Sequence, residues 1–402
     1  MKLKLLLSTV ILGWAASFLG AAGPAFGAPF AYVANEHSAS VSQYAIGGAG
    51  ELSLLAPPTV PAGAVPFGLA ITPDSKSVYV VNIADNSVSE YTVNPATGEL
   101  SAKTPASIAA GGGPRGITVA PDGKSAYVTN GYANANTVSQ YDIDPVTGAM
   151  APKSPATVPT GRGPLGVTVT PDGKTAYVTN FNGDAISQYD VDPTSGALSP
   201  KSPATVATYP SGAPEAVAVT PDGRSAYVAN AVGVGVGQYD IDPVSGVLLP
   251  KSPASVYAGE GPSDVAVTPD GKSAYVTNAN FGHGNTISQY DINPASGALT
   301  PKSPATVNTG TGPVFIAVTP DGESAYVTNF QVNSVSQYDV DPASGALTPK
   351  SPATIASGTQ PVQIAVTTPP RVPTSKAQCK HGGWRRFGFK NQGQCIAFVN
   401  RH

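Results

Sequence analysis

A five-residue segment, Ala-Tyr-Val-x-Asn or a near copy, ends at Asn35, Asn82, Asn130, Asn180, Asn230, Asn278 and Asn329 of this 402-residue chain. Residues 29 to 369 are therefore seven copies of a unit about 49 residues long. A fixed period of this size makes each copy one supersecondary unit that buries its apolar faces against its neighbours. Within a copy, four short runs rich in Val, Ile, Thr and Tyr alternate with turn residues; in the sixth copy they are Val265–Thr268 (a), Ala274–Asn278 (b), Ile287–Asp291 (c) and Ser303–Val307 (d). Their length and β-branched content predict strands.

The turns set the order of those strands. Asp-Gly between a and b (Asp122-Gly123, Asp172-Gly173, Asp222-Gly223, Asp270-Gly271, Asp321-Gly322) supplies the positive φ of a tight hairpin, and Asp74-Ser75 is a weaker version of it. Asp-Pro-x-Ser/Thr-Gly turns c into d. Run d carries Lys-Ser-Pro, as at Lys251–Pro253, and proline with lysine suits an unpaired outer edge, so d is placed outermost and a innermost. The first b run, Ala31–Asn35, has no a run before it, whereas a lone a run, Pro361–Thr367, ends the repeats. The fold class that follows is all-β: a seven-bladed β-propeller of four-stranded antiparallel blades whose ring is closed by a C-terminal strand.

Gln140–Ala149 (Gln-Tyr-Asp-Ile-Asp-Pro-Val-Thr-Gly-Ala) and Pro121–Asn130 (Pro-Asp-Gly-Lys-Ser-Ala-Tyr-Val-Thr-Asn) resemble the YVTN-type propeller repeat. Over residues 29 to 369 the chain is similar to the lactonase-like seven-bladed family that includes phosphogluconolactonase-type enzymes. The resemblance implies polar residues, His, Arg and Glu among them, around a central channel. Arg115 and Glu215 match that expectation, and none of the four histidines falls on a strand a.

The two ends of the chain differ from the repeats. Lys2 and Lys4 precede an apolar run from Leu5 to Leu19, and small residues follow, so residues 1–28 read as a signal peptide cut between 23 and 28. The mature protein is then secreted or extracytoplasmic, with cell-envelope association as one possibility in that compartment. The apolar run is shorter than the roughly 20 residues of a spanning helix, and no second one follows, so no transmembrane segment is expected after cleavage. Residues 29–369 hold all 25 acids against 13 Lys/Arg, while seven bases and no acids follow from Arg371. An acidic body excludes a nucleic-acid footprint. Residues 370–402 read as a short basic tail module in which Cys379 and Cys395 form a disulfide, closing a loop that contributes about 3 kcal/mol in the chain-entropy view. Its partner is an anionic cell-envelope polymer or the acidic propeller itself.

Comparing copies locates the working face. The a–b and c–d turns barely change between copies, whereas the b–c loops on the other face vary, offering Tyr132, Phe181, Phe281, His283 and Phe330. The two residues after the proline that opens each strand a also vary: Phe67-Gly68, Arg115-Gly116, Leu165-Gly166, Glu215-Ala216, Ser263-Asp264, Val314-Phe315 and Val362-Gln363. The candidate ligand site at the channel mouth therefore comprises Phe67, Arg115, Tyr132, Phe181, Glu215, Asp264, Phe281, His283, Phe330 and Gln363. Glu215 and Asp264 occupy successive pleat registers, so strict alternation leaves open whether they converge. Two GxGxxG matches, at Gly111-Gly113-Gly116 and Gly161-Gly163-Gly166, lead into strands rather than helices and do not read as nucleotide sites. Asp142-x-Asp144 and Asp190-x-Asp192 lack the other ligands of a calcium loop. No metal and no cofactor are expected.

Three functions fit these residues. The first is a noncatalytic exported binding or envelope protein for a small polar or anionic ligand such as a carbohydrate or lactone. The second is a lactonase-like hydrolase of a sugar lactone or small ester. In it Glu215 or Asp264 acts as general base, and Arg115 holds an anionic group or the oxyanion. The third is a structural surface-layer component.

Overall fold

The computed structural model describes residues 29–131, 135–209, 212–232, 235–368, 376–380 and 391–400. The proposed signal peptide, Tyr132 and most of the basic tail lie outside the described residues. Seven four-stranded antiparallel sheets make up the body, each with strand a at one edge and strand d at the other. The first blade draws its innermost strand from the far end of the chain. Pro361–Val366 pairs with Phe30–Asn35, followed outward by Ser40–Ile46 and Leu52–Pro61. Val33 stands opposite Ile364 and Ala31 opposite Val366. The Phe30 N–H donates to Thr367 Oγ1 at 2.7 Å, which locks the seam. The ring therefore leaves no inter-blade edge unpaired. At the one a–b turn without glycine, Ser75 takes φ 59° itself. Its hydroxyl bonds both the N–H and the carbonyl of Thr368 at 3.0 Å, so this turn ties the end of the closing strand to the second blade.

The apolar core lies between blades. Tyr227, Ala229 and Val236 of the fifth blade pack with Val265, Val276 and Tyr290 of the sixth. Three polar contacts recur at these interfaces. Each strand-b tyrosine is buried and donates its hydroxyl to a c–d turn glycine carbonyl of the next blade, from Tyr32 to Gly98 (2.6 Å) round to Tyr326 to Gly50 (2.7 Å). The strand-c glutamine accepts the first N–H of the next blade's strand d, as Gln188 does from Leu248 at 2.7 Å.

The third contact departs from the sequence expectation. Strand d is outermost, but its lysine does not guard an exposed edge. Lys153, Lys201, Lys251, Lys302 and Lys350 have side chains only 4–6% exposed. Each pairs with the strand-c aspartate of its own blade (Asp142, Asp190, Asp240, Asp291 and Asp339) and donates to a turn carbonyl of the next blade. A long flexible stem lets the ammonium cross the blade gap, and this work falls to the lysine rather than to edge protection. In the tail, Cys379 and Cys395 form a disulfide with Cα atoms 5.7 Å apart, beside a helix over Gln392–Val399.

Candidate functional site

Every strand a begins with proline and carries one extra residue before the ladder resumes; in the sixth blade Pro262 pairs with Asn278 and Val265 with Val276. A bulge of this kind breaks the two-residue alternation, so both residues after the proline can be turned to the channel. The strand-b threonine stabilises the bulge. Thr179 accepts the N–H of Gly166 at 2.8 Å and donates to the carbonyl of Glu215 in the next blade at 2.8 Å. Thr277 does the same for Asp264 N–H (3.0 Å) and Val314 carbonyl (2.9 Å). Glycine at the second position is a packing requirement in three blades: a Cβ on Gly116 would meet the Leu165 carbonyl at 2.2 Å. Its counterparts Ala216, Asp264, Phe315 and Gln363 carry side chains, so the mouth is chemically lopsided toward blades five to seven and one.

A cavity of about 160 Å³ lies in the channel, walled by Phe67, Leu165, Glu215, Ser263, Asp264, Val314, Phe315 and Gln363 among others. Glu215 and Asp264 are thus brought to one cavity. Ser263, only 5% exposed, donates its hydroxyl to Glu215 Oε2 at 2.7 Å. Burial pushes the Glu215 carboxyl up to about 7, against the Ser263 hydrogen bond and the nearby Arg115 charge, which hold it down. Burial likewise raises Asp264 to about 7, opposed by the Ile316 and Val265 N–H groups and reinforced by the Glu215 charge. The Ile316 N–H reaches Asp264 Oδ2 at 3.0 Å. Gln363 holds the equivalent Leu69 N–H at 3.2 Å, so part of the work of both side chains is to join neighbouring blades.

Arg115 stands at the rim with its guanidinium carbon 5.5 Å from the centre of the Phe67 ring, a cation–π contact. Phe67 meets Phe315 edge-on at 5.9 Å, and Phe330 packs into the same cluster. Phe181 is half-buried in a short 3₁₀ turn outside the cavity wall. Phe281, 69% exposed, and His283, also exposed, lie on another such turn away from the wall. Two contributors were not picked out in the sequence. Ser263 stands in one of the variable pairs, and its short hydroxyl carries no signal in the sequence that it would meet Glu215. Glu36 follows Asn35 at the same register as Phe181 and Phe330, and aligning the b–c loops on that asparagine would have found it. Burial raises its carboxyl, while the charges of Arg115 and His37 pull it down. A larger groove of about 920 Å³ lies on the opposite face, lined by recurrent turn residues of the sixth and seventh blades together with the first blade's divergent Ile46–Gly50 turn.

A pair of buried carboxyls raised toward neutrality and influenced by one guanidinium can exchange protons with a bound molecule. The protein is thus a closed seven-bladed propeller with two buried carboxyls, Glu215 and Asp264, in the wall of its channel cavity. The profile of the family described as "Lactonase, 7-bladed beta-propeller" matches residues 24–163 and 164–365, and the chain belongs to that family. Among solved structures, a protein provisionally assigned as a 6-phosphogluconolactonase from Bacteroides fragilis is similar at TM-score 0.70 and 21% identity, over 85% of this chain and 98% of that one. A second so assigned, from Bacteroides uniformis, gives 0.70 and 20%, over 85% and 100%. The periplasmic gluconolactonase PpgL of Pseudomonas aeruginosa gives 0.67 and 21%, over 85% and 100%. At these identities the likeness is one of fold. No curated protein sequence matches the chain.

Proposed function

We propose that the protein is a hydrolase that opens a small lactone at the mouth of its channel. The observation that carries this reading is the Glu215–Asp264 pair, two carboxyls raised to about 7 in one cavity. Arg115 favours the ionised form of Glu215, whereas Asp264 has no cation among its influences. Near pH 7, Glu215 therefore serves as base and Asp264 as acid. Glu215 takes a proton from water as the oxygen adds to the lactone carbonyl. Arg115, at the rim, stabilises the resulting oxyanion. Collapse breaks the ring C–O bond, and Asp264 gives its proton to the leaving oxygen, so that a hydroxy acid is released. Membership of the lactonase family supports this reading over a purely structural surface role.

A noncatalytic binding protein using the same mouth is the second reading; the absence of histidine from the cavity wall favours it. In either case the proposed signal peptide and the Cys379–Cys395 disulfide support work outside the cytoplasm, with the basic tail directed to an anionic envelope polymer. The two readings separate in a hydrolysis screen of five- and six-membered sugar lactones. Glu215→Gln should lower kcat/KM by about 10²–10⁴, the usual worth of a general base. Wild-type turnover no faster than buffer across the panel would leave only the binder.

A further inference from the structure

We infer that the mouth selects an uncharged lactone and turns away one that carries a phosphate or carboxylate; the inference rests on the hydrolase reading above. The variable face, comprising the b–c and d–a loops and the first residues of each strand a, carries Glu36, Asp85, Asp184, Glu215, Glu260 and Asp264 against Arg115 and Arg162. Residues 132–134, 210–211 and 233–234, outside the described residues, carry no charged side chain in the sequence. The other 11 Lys/Arg of the propeller serve the opposite side. Five occupy a–b turns, and six rise from strand d to c–d turn carbonyls, as Lys103 does to Thr147 at 2.6 Å. The chain also leaves the ring on that side, at Thr368 beside Ser75. An anion approaching the cavity thus meets an acidic rim with one guanidinium near the chemistry.

That guanidinium stands 5.5 Å from the centre of the Phe67 ring, and its single charge is already shared between Glu36 and Glu215. A phosphate clamp commonly sets a second cation beside the arginine. The second arginine, Arg162, is exposed in a d–a loop and forms no part of the cavity wall. The wall is otherwise Phe67, Leu165, Val314 and Phe315 opposite the polar groups, which suits a ring with an apolar face and hydroxyl edges. A neutral sugar lactone meets both requirements without placing a third or fourth negative charge among carboxyls.

The test compares a neutral hexonolactone with the same lactone phosphorylated on its terminal hydroxyl, using the full-length wild-type protein. At low salt the neutral compound should have at least a tenfold higher kcat/KM. Raising ionic strength should speed the phosphorylated compound by screening the acidic rim, while the neutral one stays flat. Glu36→Lys should narrow the gap. Equal or faster turnover of the phosphorylated compound, without a rise in salt, would overturn the inference and leave the hydrolase standing. Failure of both compounds to turn over would overturn the hydrolase reading and the inference with it.

Discussion

Ser263 decides how the Glu215 carboxyl is held. In the third, fourth and sixth blades the strand-b threonine secures the next blade's mouth residue by its backbone. In the fifth blade that position is Ala229, which has no hydroxyl, and the sixth blade's mouth residue Ser263 instead donates its own hydroxyl to the Glu215 side chain. Ser263→Ala removes a bond that favours ionised Glu215, so the Glu215 pKa should rise further. The acidic limb of the kcat/KM profile then moves to higher pH, and Ser263→Thr should restore it; an unmoved limb with a lower plateau would mean that Ser263 only packs. The variable residues of this mouth were legible by comparing copies, because invariant positions reveal what the fold demands. Their convergence was not. Alternation along a strand assumes an unbroken pleat, and the bulge after Pro214 and Pro262 breaks it where the site is built.

At the scale of the element, strand c of the second blade is the exception that exposes the rule. Blades three to seven place Gln then Asp at alternate positions, as in Gln140 and Asp142, whereas the second blade has Glu90 and Thr92. Elsewhere the glutamine amide also donates to a proline carbonyl of its own strand d, as Gln140 does to Pro155 at 3.1 Å, a bond an ionised glutamate cannot make. Glu90 is 1% exposed and accepts the Met150 N–H at 3.2 Å. Burial raises its pKa, with Met150 and Lys103 opposing. A carboxyl whose pKa is higher folded than unfolded favours the native state fully only below the unfolded value near 4.5. That contribution is lost as pH rises through the folded value. Glu90→Gln should therefore add about 1 kcal/mol at pH 7, the net worth of one buried hydrogen bond, and nothing at pH 3.5. Adding Thr92→Asp supplies Lys103 with the partner its counterparts have, and the double variant should melt higher still. Equal melting of wild type and Glu90→Gln at both pH values would show that Glu90 is already neutral at pH 7. The lysine's part in this interface could not be read from the sequence, since Lys-Ser-Pro fits an exposed edge as well as a clamp and only the neighbouring blade distinguishes them.

For the whole molecule, the seven-fold repeat made the architecture legible almost completely, down to the strand that closes the ring, because the period fixes both the blade count and which run lacks a partner. Closure is also where stability is concentrated. Removing residues 359–402 takes away Val362 and Ile364, 1% and 4% exposed, each worth about 1.5–3 kcal/mol of burial, together with the ladder to Phe30–Asn35 at about 1 kcal/mol per bond. The loss is of the order of a domain's entire stability, about 5–15 kcal/mol, and it leaves the first blade open toward both neighbours. A chain ending at Gly358 should lose its cooperative thermal transition and bind hydrophobic dye at room temperature. A chain ending at Thr368 discards only the tail and keeps both the Phe30–Thr367 lock and the Ser75–Thr368 tie. It should melt within a few degrees of the full-length protein. If the shorter chain melted alongside the longer one, Pro361–Val366 would not be what closes the ring; if both collapsed, the stabilising contacts would lie in the disulfide module rather than in the seam.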